Sequence, residues 1–438
     1  MYTDKKIMIL GCARSGIAAA KILSKDNEVY LTDIKELNEE TDRLLKELNV
    51  KVLIGEDQAS FLDESFDFVV KNPGILPSNS LVQKAKELDI LVINEMEVAY
   101  NFIPEKTFVI GVTGSNGKTT TVTLIYELLK KKGLDVVLGG NIGIPLCDLI
   151  PSIKEDTILL LEISDHQLLN LKKLKTNISL LTNICPTHLD YHGTFEKYKE
   201  TKKLIFSNHR PEDIAFINES NQNSLDITED IASFKYYFCS DENYITDEGI
   251  YIHKDLIISL SDISLIGKHN YENILAALMV VDYFGIDKDL VKEFLSTFNG
   301  VEHRIEFVKK IDGVSYYNDS KATNPTSVIT ALNTFSNKVH LILGGAEASQ
   351  NFEALKDNLE NVSHVYAIGE TTNRVVDFAT KYNIPSTECV TLKNAINKAY
   401  ENASESNVVL LSPASASFDQ YKKFEDRGEE FKNIVNSL

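Results

Sequence analysis

The residues of this chain best suited to chemistry lie in the run GVTGSNGKTT, Gly111 to Thr120. Gly114 and Gly117 free the backbone to turn its N–H groups toward an anion, Lys118 can reach the outer phosphates of a nucleotide, and the Thr119 hydroxyl can ligate Mg2+. Ser115, Asn116 and Thr120 complete the loop. The strict pattern asks for glycine where Val112 stands, with Gly111 one residue early, so the run reads as a variant phosphate cradle. The alternative, a plain glycine turn before a helix, leaves Gly-Lys-Thr without a reason.

Further candidates follow downstream. Glu162 closes the apolar run TILLLEIS, and a carboxylate at the end of a buried strand is where phosphate-loop enzymes hold Mg2+. A buried Glu without a cation would be costly, and the other reading is an exposed charge at a strand end. His188, after the apolar ISLLTNI, could bind a second ion, although a lone histidine is more often packed or hydrogen-bonded than metal-bound. Asp190 and His192 beside it are either supporting groups or surface.

These side chains need elements to hold them. Phe108, Val109 and Ile110 form an apolar strand into the loop, and a helix-compatible segment leaves it. The N-terminal run KIMIL, GCARSG, IAAAKILSK, EVYLTD is strand, turn, helix, strand. Gly11, Ala13 and Gly16 fall where a dinucleotide fingerprint puts its glycines, and Asp33 where a ribose ligand would lie. With Ala in the middle the fingerprint supports a nucleotide-shaped ligand better than NAD. Asn72, Pro73 and Gly74 make a turn at a strand end, and Asn101 to Glu105 reads as a linker into the phosphate-loop domain. Strand alternates with helix throughout, without an internal repeat, which predicts an α/β protein of mainly parallel sheets.

Size and charge bound the rest. At 438 residues, and about 150 per domain, roughly three domains are expected, leaving room for clefts between them. We place them at 1–97, Rossmann-like, 98–299, a central ATP-binding domain, and 300–438, a C-terminal Rossmann-like domain. A net charge of -19 argues against broad binding to nucleic acid or anionic membrane. No run of 18 apolar residues and no charged-apolar-small leader is present, so a soluble, unprocessed protein is expected. The five cysteines are widely spaced without a CxxC pair, which predicts reduced thiols and no zinc or disulfide framework.

TGSNGKTT, GGNIG, LEIS with Gln167, TN before HLDYHGT, Tyr198 with Lys202, GKHNYEN, HR, NDSKATN and LSPASASFDQYKKFEDRG occur in the order seen in Mur ligases. The chain resembles that family from GCARSG to the final helix. The GCARSG start, the KNPGI turn and the SPASASFDQYKKFEDRG end are similar to its glutamate-adding branch.

The resemblance implies a function and a site. The reaction is ATP-driven addition of D-glutamate to UDP-N-acetylmuramoyl-L-alanine through an acyl phosphate. A sister ligase using another amino acid, or a scaffold without turnover, is the alternative. Arg14, Ser15, Asp33 and Asn72 would contact the uridine diphosphate, and Asn141, Ser164, Gln167 and His188 the muramoyl substrate or second metal. Lys118 and Thr119 would hold the ATP phosphates and first Mg2+, with Glu162 as partner. Lys202, four residues past Tyr198, matches a lysine the family carbamylates with carbon dioxide, which turns a cation that repels Mg2+ into an anionic ligand. By itself it reads as a solvated helix lysine between Lys199 and Lys203. His269, Asn270 and Asn273 fall at adenine contacts, Arg304 and Asp319 at ribose or phosphate contacts, and Lys321, Thr323, Ser417 and Phe424 on the amino-acid side. Two Mg2+ ions, domain closure over ATP, a monomer and the bacterial cytoplasm are further implications.

Two stretches depart from the family pattern. Asp165 and His166 stand where Ser and an aromatic residue are usual, and Asp165 is expected to point away or to pair with a neighbour. After HLILGG the run Ala346, Glu347, Ala348, Ser349 lacks the usual cation for the incoming carboxylate. Losing such a donor costs about 1.5 to 3 kcal/mol, so weak glutamate binding, a relocated cation such as Lys422 or Lys423, or another amino acid is expected.

Overall fold

Runs such as Ile7–Leu10, Phe68–Val70 and Leu159–Leu161 are apolar at every residue and too short for helices, and each lies fully buried in a strand of a parallel sheet. The computed structural model describes all residues except Met1, Ile266, Ala348 and Ser349, and all side chains of its helices and strands except those of Asp190 and Thr326. It divides into two compact units, Met1–Thr297 and Phe298–Leu438.

The first unit carries two parallel sheets. One is built from β1 (Lys6–Leu10), β2 (Glu28–Asp33), β3 (Lys51–Ile54), β4 (Phe68–Lys71) and β5 (Leu91–Ile93), in the order β3-β2-β1-β4-β5. The other contains β6 (Phe108–Thr113), β7 (Val136–Gly140), β8 (Ile158–Glu162), β9 (Ile178–Leu181), β10 (Ile214–Asn218) and β11 (Phe234–Phe238), in the order β11-β10-β9-β6-β8-β7. Two acids on the short helix Glu95–Tyr100 fasten them together. Glu97 accepts backbone N–H groups from Lys172, Lys173 and Leu174 at 2.8–3.1 Å, and Glu95 accepts that of Cys147 at 2.5 Å. Burial pushes the Glu95 carboxyl up to about 7.

An antiparallel set, β12 (Tyr244–Ile245), β13 (Gly249–Ile252) and β14 (Asp255–Ser259), follows. The helix Lys268–Tyr283 then packs against the helix Lys118–Lys131 that leaves the phosphate loop.

In the second unit β15 (Glu306–Ile311), β16 (Val314–Asn318), β17 (Val339–Gly344), β18 (Val362–Ile368), β19 (Ser386–Val390) and β20 (Val408–Leu411) take the order β15-β16-β20-β17-β18-β19. All neighbours are parallel except β15 and β16. That hairpin and the β12–β14 set are the two antiparallel additions to the expected parallel plan. All five cysteines are free thiols, Cys147 and Cys389 buried and the others half-buried.

Candidate active site

Strand register brings the loop and the carboxylate together. β6 lies between β8 and β9, and Val112 pairs with Glu162, so the loop and the acid leave the same edge of the sheet. The loop is cut to fit without side chains at its glycines. A Cβ on Gly114 would lie 1.9 Å from Thr182 Oγ1, and one on Gly117, at φ 81°, would lie 2.0 Å from Asn273 Oδ1. Lys118 folds onto the Gly114 and Ser115 carbonyls, at 2.8 Å each. Ser115 Oγ meets Tyr198 OH at 2.8 Å and accepts Cys185 N–H at 2.9 Å, and Asn116 N–H donates to Asn183 Oδ1 at 3.0 Å. Thr119 is buried in the first helical turn, and Thr120 is half-buried beside it.

Glu162 is 2 % exposed, not a surface charge. Asn141 Nδ2 donates to its Oε1 at 2.8 Å, and Oε2 is buried without a hydrogen-bond partner among the described residues. An ionised oxygen left so is costly unless a cation meets it. The cradle and this oxygen therefore fit a magnesium nucleotide. Ser164 and Gln167 form a capping box on the short helix Asp165–Leu168, Gln167 Oε1 accepting from both Ser164 N and Ser164 Oγ at 3.0 Å.

Lys202 is 0 % exposed, and its Nζ reaches Thr113 Oγ1 at 3.2 Å and Asp165 Oδ1 at 3.4 Å. Burial, helped by the Lys118 charge, pushes the amine down to about 7, against the pull of Asp165 and Glu162. The solvated-lysine reading falls. Asp165 does not point away: it is buried and pairs with His188, His192 and Lys202. Burial works to raise its carboxyl, but those partners hold it well below the carboxylate range. His188, at φ 51°, stands largely exposed at the start of the helix Leu189–His192, while His192 is buried. The side chain of Asp190 lies outside the described residues.

The first sheet carries a separate pocket of about 370 Å³ lined by Ser15, Asp33, Asn72, Gln58 and Asn79, among others. Asp33 spends its oxygens on the N–H groups of Cys12 at 2.7 Å and Ile34 at 2.7 Å. Arg14 is outside this lining and donates to the Gly143 carbonyl at 2.8 Å. Lys71 is buried at the end of β4, donating to the Ile75 carbonyl at 2.7 Å and Tyr191 OH at 3.4 Å, and burial lowers it to about 8. Lys71 is not singled out by sequence, although KNPG contains it, whereas the surface alternative for His192 falls, since it is buried against Asp165.

Of the three residues expected at adenine contacts, Asn273 is buried over Gly117, whereas His269 is exposed and Asn270 half-buried at the start of their helix. In the second unit, burial lifts Asp319 to about 7 although Ser412 Oγ donates to it at 2.6 Å and the Arg304 charge opposes the rise. Lys321 is half-buried, Thr323 exposed, and Ser417 Oγ buried without a partner among the described residues. Phe424 opens the last helix, its carbonyl accepting from Ser320 Oγ at 2.8 Å.

Ala348 and Ser349 lie outside the described residues. Beside them Arg374 pairs with Glu347 and donates to the Gln350 carbonyl at 2.7 Å. Lys422 and Lys423 are exposed, Lys423 lying 4.0 Å from Asp426.

The family model for the Mur ligase middle domain matches residues 112–281, and that for the Mur ligase glutamate ligase domain matches residues 303–415. The UDP-N-acetylmuramoylalanine–D-glutamate ligase of Geobacillus kaustophilus is 40% identical over 446 residues, covering 100% of this chain and 98% of that protein. The ligase of the same name from Streptococcus agalactiae serotype Ia is 38% identical over 444 residues, with 100% and 98% covered. Among solved structures, UDP-N-acetylmuramate-alanine ligase MurC from Thermotoga maritima has the same fold at TM-score 0.60 and 19% identity, covering 99% of both chains. MurF ligase from Thermotoga maritima, in complex with ADP, gives TM-score 0.57 at 19% identity, covering 96% of this chain and 99% of that one.

Proposed function

Because the chain belongs to the Mur ligase family, we propose that it acts as the D-glutamate-adding (MurD) ligase, joining D-glutamate to UDP-N-acetylmuramoyl-L-alanine with ATP. The observation that carries this reading is the phosphate cradle on β6 set in register with the buried, half-partnered Glu162 on β8.

A carboxylate is a poor electrophile, so the substrate acid must first become an acyl phosphate by taking the γ-phosphoryl group of ATP. The loop N–H groups from Gly114 to Thr119 and the Lys118 ammonium bind and orient the phosphates. Thr119 and Glu162 would hold a first Mg2+ and His188 a second, and these ions would neutralise charge on the phosphoryl oxygens. Asn141 fixes the rotamer of Glu162. Phosphate then leaves as the deprotonated amino group of the amino acid attacks the acyl carbon.

We assign Lys202 as the site of a carbamate. Carbon dioxide reacts with a neutral amine, and burial gives Lys202 that form near neutral pH. Ser15, Asn72 and Asp33 are assigned to the uridine diphosphate, with Arg14 at the edge of that site. In the C-terminal unit Arg304 and Asp319 are assigned to the nucleotide and Lys321, Thr323, Ser417 and Phe424 to the amino acid. The nucleotide substrates put the reaction in the bacterial cytoplasm, and no helix among the described residues is long and apolar enough to cross a membrane.

The test is phosphate release from ATP with UDP-N-acetylmuramoyl-L-alanine and a panel of D- and L-amino acids, the products identified by mass. Release that needs all three substrates, with D-glutamate in the product, is expected. A product with another amino acid alone would move the chain to a sister activity, and none at all would leave a scaffold.

A further inference from the structure

Three imidazoles converge on one carboxylate oxygen in the first unit. Asp165 Oδ2 lies 2.7 Å from His192 Nε2, 3.0 Å from His188 Nδ1 and 3.9 Å from His166 Nε2. The His166 and His188 rings stack with centroids 5.0 Å apart at 24°. One nitrogen of each and one oxygen of Asp165 all lie within 4.8 Å of one another. His192 and His188 are placed to donate to Oδ2, whereas His166 stands beyond hydrogen-bond reach of it. Two ligands bound to a tetrahedral Zn2+ at about 2.0–2.2 Å sit roughly 3.4 Å apart. The 3.0 and 3.9 Å separations straddle that value, and the two imidazole nitrogens, within 4.8 Å of each other, would close on the ion by rotation of the rings.

We propose that Asp165, His166 and His188 form a binding site for a zinc-like divalent ion. Two imidazoles and one carboxylate suit Zn2+ and its transition-metal neighbours, while Mg2+ takes oxygen ligands. The Asp165 side chain is 2 % exposed, that of His166 25 % and that of His188 46 %, so the acid forms a closed floor and the imidazoles face solvent. An ion enters from that side and keeps a water in its fourth position, as sites with three protein ligands do. When Nδ1 of His188 takes the metal, the proton of the neutral ring resides on Nε2, and no proton need leave. His192 keeps its hydrogen bond to Asp165, an outer-layer contact that orients the ligand oxygen.

The site shares His188 with the Mg2+ ligands assigned above but rests on the cluster geometry, not on the ligase reading. Zinc here takes His188 away from Mg2+.

Full-length protein, stripped with a chelator and free of nucleotide, is titrated with Zn2+ by calorimetry and with Co2+ by visible absorption, alongside His166→Phe and Asp165→Ser. One Zn2+ per chain, retained in a large excess of Mg2+, is expected. His166→Phe should weaken it by at least about tenfold, and Asp165→Ser should abolish the Co2+ bands. Thermal unfolding without metal checks the fold of each variant, and if either unfolds the wild-type stoichiometry decides alone. No saturable Zn2+ binding, unchanged affinity in a folded His166→Phe variant, or displacement by equimolar Mg2+ would overturn the proposal. Ligase activity with Mg2+ is measured in the same samples: its absence with Zn2+ binding intact counts against the function only, and the reverse removes the metal site only.

Discussion

Asn141 Nδ2 donates to Glu162 Oε1 at 2.8 Å, and this one bond turns the other carboxylate oxygen into a buried position without a partner among the described residues. A side chain held so is matched to a cation. Glu162→Gln should therefore lower kcat/KM about a hundred- to a thousandfold. In metal-free buffer its thermal midpoint should stay level or rise, because a buried charge has been removed. Phosphate-release kinetics and calorimetry on one preparation check both halves, and a fall in both would mark Glu162 as structural.

Gly117→Ala tests the cradle. The αL backbone alone costs an alanine about 1–2 kcal/mol, and its Cβ would meet Asn273 Oδ1 at 2.0 Å. Denaturant unfolding and ADP titration should show lost stability and lost nucleotide affinity. Adding Asn273→Ala should recover part of the stability by removing the clash, but not the cost of φ 81°.

Lys202 sets a pH dependence. Its amine is lowered to about 7, so the neutral form grows as pH rises through that value. With carbon-13 bicarbonate, a carbamate NMR signal should rise from about pH 6 to 8 and be missing in Lys202→Arg. A signal of equal size at both ends of that range would contradict the assignment.

Asp319 runs the opposite way for stability. Its carboxyl is raised from 3.8 to about 7, so with rising pH the unfolded chain loses the proton first. The stability it contributes falls between about pH 4 and 7, with a slope of up to about 1.4 kcal/mol per pH unit. Asp319→Asn should flatten that part of the profile relative to the wild type, as read by urea unfolding at several pH values.

Arg374, on the helix Thr372–Lys381 but joined to the altered loop through Glu347 and the Gln350 carbonyl, is a further point of test. Arg374→Ala should raise the KM for D-glutamate about ten- to a hundredfold with little change in kcat, whereas Lys422→Ala should leave both unchanged. Amino-acid titration in the ligase assay separates them.

The parallel sheets and the phosphate loop were legible because buried strands and Gly-Lys-Thr leave local marks. The β15–β16 hairpin leaves a local mark as well: Asp312 and Gly313 have φ 47° and 82°, the Asp-Gly turn that joins such strands. The β13–β14 turn does not, since His253 and Lys254 take φ 53° and 65° in place of the Asn-Gly or Asp-Gly that marks such a turn. At the site, Glu162 could be read from its strand. The inward turn of Asp165 could not, because it depends on His188 and His192 arriving from a later segment, nor could the burial of Lys202, whose partners Thr113 and Asp165 lie far earlier in the chain.

Tyr198 lies one turn before Lys202 on the helix Phe195–Lys203, and its hydroxyl meets Ser115 Oγ in the phosphate loop at 2.8 Å. The loop thus leans on the helix that presents the amine. Thermodynamic reciprocity then applies: if nucleotide tightens the hold on carbon dioxide by some factor, carbon dioxide tightens the hold on nucleotide by the same factor. The ligase would then register dissolved inorganic carbon as an effector of its affinity for ATP.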